Sequence, residues 1–167
     1  MKKSIATIIA TSLGFGFAPV APGTFGTAFG LICYVALAYG YGVVDSGGYS
    51  SSLDIVLIGL IIFCTAIGTW SATVMERYWG HDNGKIVIDE TIGVWITILC
   101  VPFSWINVLL AFILFRFFDI LKPLGVRAID DKMHSPFSVM LDDIVAGIYA
   151  AIVMQVAVYA MNESLIF

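Results

Sequence analysis

The chain has 167 residues, of which 60% are hydrophobic and only 12% are charged, and its net charge is −4 at pH 7. Its mean hydropathy is +0.98. About a quarter of the residues are charged in soluble domains, so this composition excludes a soluble globular domain and indicates an integral membrane protein. The acidic balance also excludes nucleic acid as a partner, because that partner requires clustered lysine and arginine. We expect one membrane domain over residues 1–167.

The first 26 residues combine a short apolar segment with a loop rich in glycine and proline. Lys2 and Lys3 precede the apolar residues 5–13, and the loop GFGFAPVAPGTFG follows at 14–26. A basic start, a short apolar core and small residues after it are also typical of a secretory signal peptide. The family resemblance described below favours a short N-terminal helix of the mature protein instead.

Two long apolar segments predict transmembrane helices, from about Thr24 to Val44 and from about Leu53 to Met75. Each has the roughly 20 residues that a bilayer crossing needs. The polar turn between them, residues 45–52, has no lysine or arginine, whereas the loops 76–90 and 116–141 carry several. The positive-inside rule therefore predicts that these two basic loops face the cytoplasm.

The third apolar region, from Thr91 to Phe118, is interrupted by Pro102-Phe103-Ser104. Proline cannot donate the backbone hydrogen bond that a continuous helix needs at that point. Because both flanks are predicted to be cytoplasmic, we predict a re-entrant helical hairpin, followed by a last span from about Asp142 to Met161. The predicted fold is all-α, a compact bundle of about three full transmembrane helices, a short N-terminal helix and the hairpin. A single kinked span, giving four full spans, is the alternative.

Acidic residues gather at the predicted cytoplasmic ends of these segments. Asp89 and Glu90 are expected to open one helix, and Asp142 and Asp143 another, which the helix dipole would favour whatever the function. A glycine lies four residues after Asp89 and four after Asp143, so each acid shares a helical face with a residue that lets a neighbouring backbone approach. We therefore expect the acidic pairs to converge, and crowded carboxylates suit a hard cation such as Mg²⁺.

The turn before the first long helix predicts an anion-binding feature. Pro22 and Gly23 precede a helix expected to begin near Thr24, which would leave backbone N–H groups and a hydroxyl pointing at one place. The same residues are also an ordinary helix start. The pattern differs from a P-loop, because no lysine follows the glycine.

The segment FRFFDILKP at 115–123 carries Arg116, Asp119 and Lys122, which share one helical face. Taken alone, these residues would be a basic collar with one acidic partner. Beside the acidic pairs and the anion-binding turn, they indicate metal-assisted chemistry on a phosphate. The three cysteines lie in apolar runs, so we expect them to be buried and to form neither a metal site nor a disulfide.

Four segments together resemble the signature blocks of the bacterial phosphatidylglycerophosphatase A family. They are GFGFAPVAPGTFG (14–26), HDNGKIVIDETIGVW (81–95), FRFFDILKP (115–123) and MLDDIVAG (140–147). The resemblance implies a Mg²⁺-dependent hydrolase that removes the terminal phosphate of phosphatidylglycerophosphate to give phosphatidylglycerol. It also implies a bacterial inner-membrane protein whose site faces the cytoplasm, and it implies that the first block belongs to the mature chain.

The resemblance carries over a set of charged residues, namely Asp82, Asp89, Glu90, Asp119, Lys122, Asp142 and Asp143. From these we expect Mg²⁺ to be held by Asp89, Asp142 and Asp143, with Glu90 or Asp119 as further ligands. Asp89, Asp143, Lys122, His81 and Asp82 are the expected catalytic residues, and the last two are alternatives for proton transfer or metal binding. Lys122, Arg116 and the turn Pro22-Gly23-Thr24 are expected to bind the substrate phosphate.

Two departures from the family pattern leave the head-group preference open. Leu124-Gly125 follow Pro123 where the family has a bulky residue and a second proline, and residues 135–138 replace a glycine-rich run. We expect both changes to lie in a loop that contacts the head group, so a related lipid phosphomonoesterase is an alternative. A small proton-coupled transporter or a non-enzymatic membrane subunit is a further alternative, although a transporter would place its acids near the midplane. The oligomeric state stays open.

Overall fold

The computed structural model describes residues 2–80, 83–122 and 136–164, and every regular element in these ranges is a helix. The all-α prediction is therefore confirmed. The helices are α1 (Lys2–Ala10), α2 (Pro22–Gly40), α3 (Val43–Ser46), α4 (Ser51–Trp79), α5 (Ile88–Ile98), α6 (Trp105–Leu121) and α7 (Pro136–Ser164), and a 3₁₀ turn, Phe15–Phe17, follows α1.

Three of the described helices are long and apolar enough to cross a membrane: α2, α4 and the part of α7 from Phe137 to Met161. The three predicted spans are confirmed in number, but their limits differ. The first span was expected to reach Val44 and ends at Gly40, because Gly42 adopts a left-handed conformation with φ of 67° that breaks the helix. The last span begins at Pro136 and not near Asp142, since a proline is readily accommodated in the first turn of a helix.

Helices α5 and α6 form the predicted hairpin. The chain leaves α5 at Leu99 and enters α6 after Ser104, whose hydroxyl accepts a hydrogen bond from the Asn107 backbone N–H at 3.0 Å. The two helices then fold back on each other, so that the Phe115 ring lies against Gly93. With 11 residues, α5 is about 16 Å long, roughly half of the ~30 Å hydrocarbon core. The alternative of one continuous kinked span is therefore wrong.

The break at the hairpin tip is held by polar side chains from other helices. Asp54 of α4 accepts a hydrogen bond from the Cys100 backbone N–H at 3.2 Å, and Gln155 of α7 donates to the carbonyls of Leu99 and Cys100 at 3.1 and 3.2 Å. Irregular backbone in a membrane protein requires such partners. Cys100 itself is exposed, with φ of 60°, and Cys33 and Cys64 are half-buried, so the prediction that all three cysteines are buried is wrong.

Helix α5 is the central element of the bundle and packs against α2, α4, α6 and α7. Its Trp95 indole N–H donates to the Gly30 carbonyl of α2 at 2.7 Å, and its Ile92 and Val94 side chains are fully buried. Two buried apolar clusters include its residues, one with α2, α3, α4, α6 and α7 and the other with α1, α4 and α7. The first turn of α5 is therefore held in place from several directions.

Candidate active site

Three carboxylates converge where α5 begins and α7 passes beside it. Asp89 and Glu90 lie in the first turn of α5, Asp143 lies in α7, and one oxygen from each can be chosen so that all lie within 4.8 Å of one another. Asp89 and Asp143 are each only 6% exposed. The predicted convergence of the acidic pairs is confirmed, and we call these three residues the acid cluster.

The acid cluster depends on a close contact between two glycines. A Cβ added at Gly147 of α7 would lie 2.5 Å from the Gly93 carbonyl oxygen, and one added at Gly93 would overlap the Phe115 ring. The two backbones therefore approach more closely than any side chain would allow. Because each glycine lies one turn after its acid, this contact brings Asp89 and Asp143 together, as the sequence predicts.

The position of Asp143 within α7 differs from the prediction. Asp142 and Asp143 were expected to open a helix, but α7 begins at Pro136, and both acids lie within the helix. They are buried by packing against α5 and α6 and are not placed by the helix dipole. Asp89 and Glu90 do lie in the first turn of their helix, as predicted.

The start of α5 is fixed by the segment that follows α1. The Val87 backbone N–H donates to the Ala10 carbonyl at 2.8 Å, and the Ser12 and Thr91 hydroxyls lie 3.1 Å apart. Thr91 also donates to the Gly26 carbonyl of α2 at 3.1 Å. These contacts hold the backbone on both sides of Asp89, so the carboxylate is placed by rigid elements.

Two further acids beside the acid cluster are paired with basic side chains. Arg116 forms an ion pair with Asp119 one turn later on α6, and Lys122, which ends α6 with φ of 42°, forms an ion pair with Asp142 across to α7. The structure thus brings together the five predicted metal ligands, of which Asp119 and Asp142 are held by cations. Five carboxylates with two basic side chains leave a net negative site.

Burial disfavours the charged form of the carboxyls in the acid cluster. Loss of water contact raises the pKa of the Asp89 carboxyl well above its ordinary value, and the charge of Glu90 raises it further. Burial likewise raises the pKa of Glu90 to about 8, and the charges of Asp143 and Asp119 add to this effect. The Glu90 Oε2 atom is buried and has no hydrogen-bond partner among the described residues. A bound cation would stabilise the charged form of both carboxyls and would give the Glu90 Oε2 atom a partner.

A cavity of about 120 Å³ opens beside the acid cluster. This volume is well below the ~300–1,000 Å³ of a typical ligand pocket, so it suits ions and a phosphate group and not the body of a lipid. Its lining residues are Gly84, Ile86, Asp89, Glu90, Asp119, Lys122, Val139, Asp142 and Asp143. Sequence reasoning missed Gly84, Ile86 and Val139. Gly84 lies in the quoted HDNGK segment, and because glycine is typical of a turn, this residue was the available signal.

The turn at Pro22 also lies at this site. Helix α2 begins at Pro22 and not near Thr24, so Gly23 and Thr24 lie in its first turn. The Thr24 backbone N–H donates to the Ala21 carbonyl at 2.9 Å, which leaves fewer free donors than expected. A Cβ at Gly23 would overlap the Glu90 carboxylate and approach the Arg116 Nη1 atom to 3.0 Å. Glycine at this position therefore allows α2 to reach the acid cluster.

Some predicted residues lie outside the described part of the chain. These are His81 and Asp82, for which proton transfer or metal binding was expected, and the divergent positions Leu124, Gly125 and Ser135. In the second divergent segment, residues 136–138 were expected to lie in a loop, but they form the first turn of α7.

The donor set fits a hard divalent cation. Three carboxylates within 4.8 Å supply only oxygen ligands, which magnesium prefers, and a buried Glu90 oxygen without a hydrogen-bond partner is available. A cation held there would lie beside Lys122, so the same small cavity would contain two positive groups, the cation and the Lys122 ammonium, that can bind an anion. This arrangement is suited to hydrolysis of a phosphate ester.

Comparison with known proteins identifies the family. Residues 8–158 match the family model described as Phosphatidylglycerophosphatase A. The chain is 39% identical to the Haemophilus influenzae phosphatidylglycerophosphatase A over 92% of this chain and 89% of that protein, and 34% identical to the Escherichia coli phosphatidylglycerophosphatase A over 86% and 78%.

A third relative carries a different name. A Bacteroides thetaiotaomicron protein with the provisional name phosphatidylinositol-3-phosphatase is 39% identical over 92% of this chain and 93% of its own length. No solved structure matches the chain. The family match covers both the acid cluster and the hairpin, and the resemblance seen in the sequence is confirmed. The chain belongs to the phosphatidylglycerophosphatase A family of phosphoric monoester hydrolases.

Proposed function

We propose that this protein is a Mg²⁺-dependent phosphatase of the bacterial inner membrane, which hydrolyses phosphatidylglycerophosphate to phosphatidylglycerol and inorganic phosphate. The observation that carries the proposal is the acid cluster of Asp89, Glu90 and Asp143, with Lys122 lining the same cavity. Family membership supplies the substrate class, since two relatives are named for this reaction.

The metal ligands follow from the donor set. Asp89, Glu90 and Asp143 would hold Mg²⁺, and Asp119 and Asp142 lie next to them as further ligands. When bound, the ion would polarise the phosphoryl oxygens and lower the pKa of a coordinated water. Lys122 would offset the negative charge that builds on the phosphoryl group.

In the reaction, a water oxygen bonds to phosphorus while the P–O bond to the terminal glycerol breaks. The glycerol oxygen leaves with a proton, and phosphatidylglycerol stays in the bilayer. Gly23 in the first turn of α2 keeps the backbone close to the cavity, where the positive helix end attracts the anion. His81 and Asp82 remain candidates for proton transfer, and of the two the family pattern carries over Asp82.

The acid cluster is proposed to face the cytoplasm. Lys122 and the basic residues of the loop 76–90 lie at the same end of the bundle as the cluster, and the turn at 45–52 lies beside the hairpin tip at the other end. The positive-inside rule then orients the cluster toward the cytoplasm. The reaction would take place at the inner leaflet.

Release of inorganic phosphate by the purified protein in detergent tests the proposal. Phosphatidylglycerophosphate is compared with phosphatidic acid, lysophosphatidic acid and phosphatidylinositol 3-phosphate, each with Mg²⁺ and with EDTA. The last lipid is included because of the name of the Bacteroides relative. We expect Mg²⁺-dependent turnover that favours phosphatidylglycerophosphate. Faster turnover of another lipid would replace the substrate, and turnover unaffected by EDTA would contradict the metal site.

A further inference from the structure

A second feature lies along the exposed apolar face of α6. It is a groove of about 420 Å³ lined by Phe112, Ile113, Arg116, Phe117, Ile120 and Leu121. Five of these side chains are apolar, and Arg116 is the charged member. We call this feature the α6 groove.

Arg116 connects the α6 groove to the acidic cavity. Its guanidinium pairs with Asp119, which lines the cavity, and its Nη1 atom lies beside Gly23 of α2. Its Nε atom is buried and has no hydrogen-bond partner among the described residues. Arg116 therefore contributes to both features: it lines the groove, and its guanidinium lies at the edge of the cavity that Lys122 also lines.

The α6 groove has the direction and length of a lipid chain. It runs along α6 from Leu121, next to Lys122, toward the hairpin tip before Trp105. From Leu121 to Phe112 the helix advances about 14 Å, close to half of the ~30 Å hydrocarbon core. A lipid whose phosphate lies at the acid cluster would extend its chains in this direction.

The substrate class of the proposed function carries two phosphates. The terminal phosphomonoester is the reacting group, and a glycerol separates it from a phosphodiester that joins the diacylglycerol. Arg116 lies one helical turn, about 4.5 Å, before Asp119, and it lines the groove while its guanidinium lies at the edge of the cavity. The planar, charged guanidinium of an arginine suits a phosphodiester oxygen at this position.

We infer that the α6 groove binds the diacylglycerol part of the lipid substrate and that Arg116 binds its internal phosphodiester. The inference rests on the proposed function for the identity of the lipid. It makes Arg116 a specificity-determining residue, because a phosphomonoester lipid such as phosphatidic acid has no phosphodiester to offer it.

Binding of the reaction product separates this inference from catalysis. Phosphatidylglycerol keeps the phosphodiester and the acyl chains but lacks the reacting phosphate. Its apparent Kd for the full chain in detergent is measured by native mass spectrometry, and diacylglycerol with the same chains is measured in parallel. Size-exclusion elution establishes that each variant is folded.

The variants test the two parts of the lipid in turn. Arg116→Gln should weaken phosphatidylglycerol binding about tenfold or more, through loss of a charge-assisted hydrogen bond, and should affect diacylglycerol far less. Arg116→Lys keeps the charge beside Asp119 and should weaken binding less than Arg116→Gln. Ile120→Trp, and Ile113→Trp further along the groove, should weaken binding of both lipids by filling the groove.

The matched control is Ile62→Trp. Ile62 lies on α4, which packs against α1, α5 and α7, and it is 66% exposed, as is Ile120. This control should leave both Kd values at the wild-type level. The inference is overturned if Arg116→Gln binds phosphatidylglycerol as wild type does, or if Ile120→Trp and Ile62→Trp behave alike. The expected binding pattern without hydrolysis of phosphatidylglycerophosphate would support the lipid site and contradict the proposed function.

Discussion

The contact between Gly93 of α5 and Gly147 of α7 determines how closely the acids of the two helices approach, and Gly147→Ala tests it. The added Cβ would lie 2.5 Å from the Gly93 carbonyl oxygen and 3.1 Å from its Cα. Carbon contacts are favourable only beyond about 3.5 Å, so the two backbones must separate by about 1 Å. Both partners are backbone atoms, which cannot turn away as a flexible side chain could.

The separation should reduce both stability and activity. Overpacking of this kind costs about 1–3 kcal/mol of unfolding free energy, which lowers the unfolding midpoint by roughly 2–4 °C per kcal/mol. Asp143 lies one turn before Gly147 and moves with it relative to Asp89. A displacement of about 1 Å in a catalytic site can lower turnover about 10²-fold.

Gly59→Ala is the matched control for this change. Gly59 lies in α4, and a Cβ there would have no neighbour within 4 Å. Because alanine has the higher helix propensity, this change should leave the unfolding free energy unchanged or raise it by up to about 1 kcal/mol. Both variants are assayed by thermal unfolding in detergent and by phosphate release. If Gly147→Ala matches Gly59→Ala in both assays, the account of how the acid cluster is assembled is wrong.

Three further predictions concern the hairpin tip, Lys122 and the metal. Asp54→Ala leaves the Cys100 N–H without its acceptor, so it should lower the unfolding free energy by about 1–3 kcal/mol. Its kcat should be retained, because the hairpin tip is remote from the acid cluster. An unchanged midpoint in thermal unfolding would contradict this. Lys122→Gln should lower kcat about 10²-fold in the phosphate-release assay, and a wild-type kcat would exclude its role at the phosphate. Mg²⁺ at about 100 times its Kd should stabilise the wild type by about 2.7 kcal/mol, and an equal thermal shift in Asp89→Asn would place the ion elsewhere.

The sequence predicts the centre of this molecule well because local spacing determines it. A glycine four residues after each acid is enough to predict that α5 and α7 approach closely, and Gly93 and Gly147 do so. Pro102 similarly predicts the break between α5 and α6. In both cases one residue type imposes a backbone requirement that tertiary packing does not override.

Other features depend on distant contacts and were beyond sequence reasoning. Asp54 lies 46 residues from Cys100, to which it is hydrogen-bonded, and nothing near Asp54 in the sequence indicates a role at a hairpin tip. The start of α7 was placed too late, because Asp142 and Asp143 were treated as the acids of a first turn. The helix begins earlier, at Pro136, and packing against α5 and α6 buries both acids.

The different partners of Arg116 and Lys122 are a third example. On a helical wheel the two residues share a face with Asp119, and the pattern alone assigns them to one anion. The left-handed conformation at Lys122 ends α6, and its side chain pairs with Asp142 of α7, whereas Arg116 pairs with Asp119 on its own helix and also lines the groove. This divergence at a helix end carries no signal in residue spacing.

Phosphate release by single carboxylate variants tests whether the acid cluster is the catalytic site. Asp89→Asn and Asp143→Asn each keep the side-chain shape, and Asp54→Asn changes another buried acid at the far end of the bundle. With phosphatidylglycerophosphate and Mg²⁺, we expect Asp89→Asn and Asp143→Asn to lose turnover by about 10²-fold or more while remaining folded, and Asp54→Asn to stay near the wild-type rate. Wild-type turnover by Asp89→Asn and Asp143→Asn would show that the acid cluster is not the catalytic site.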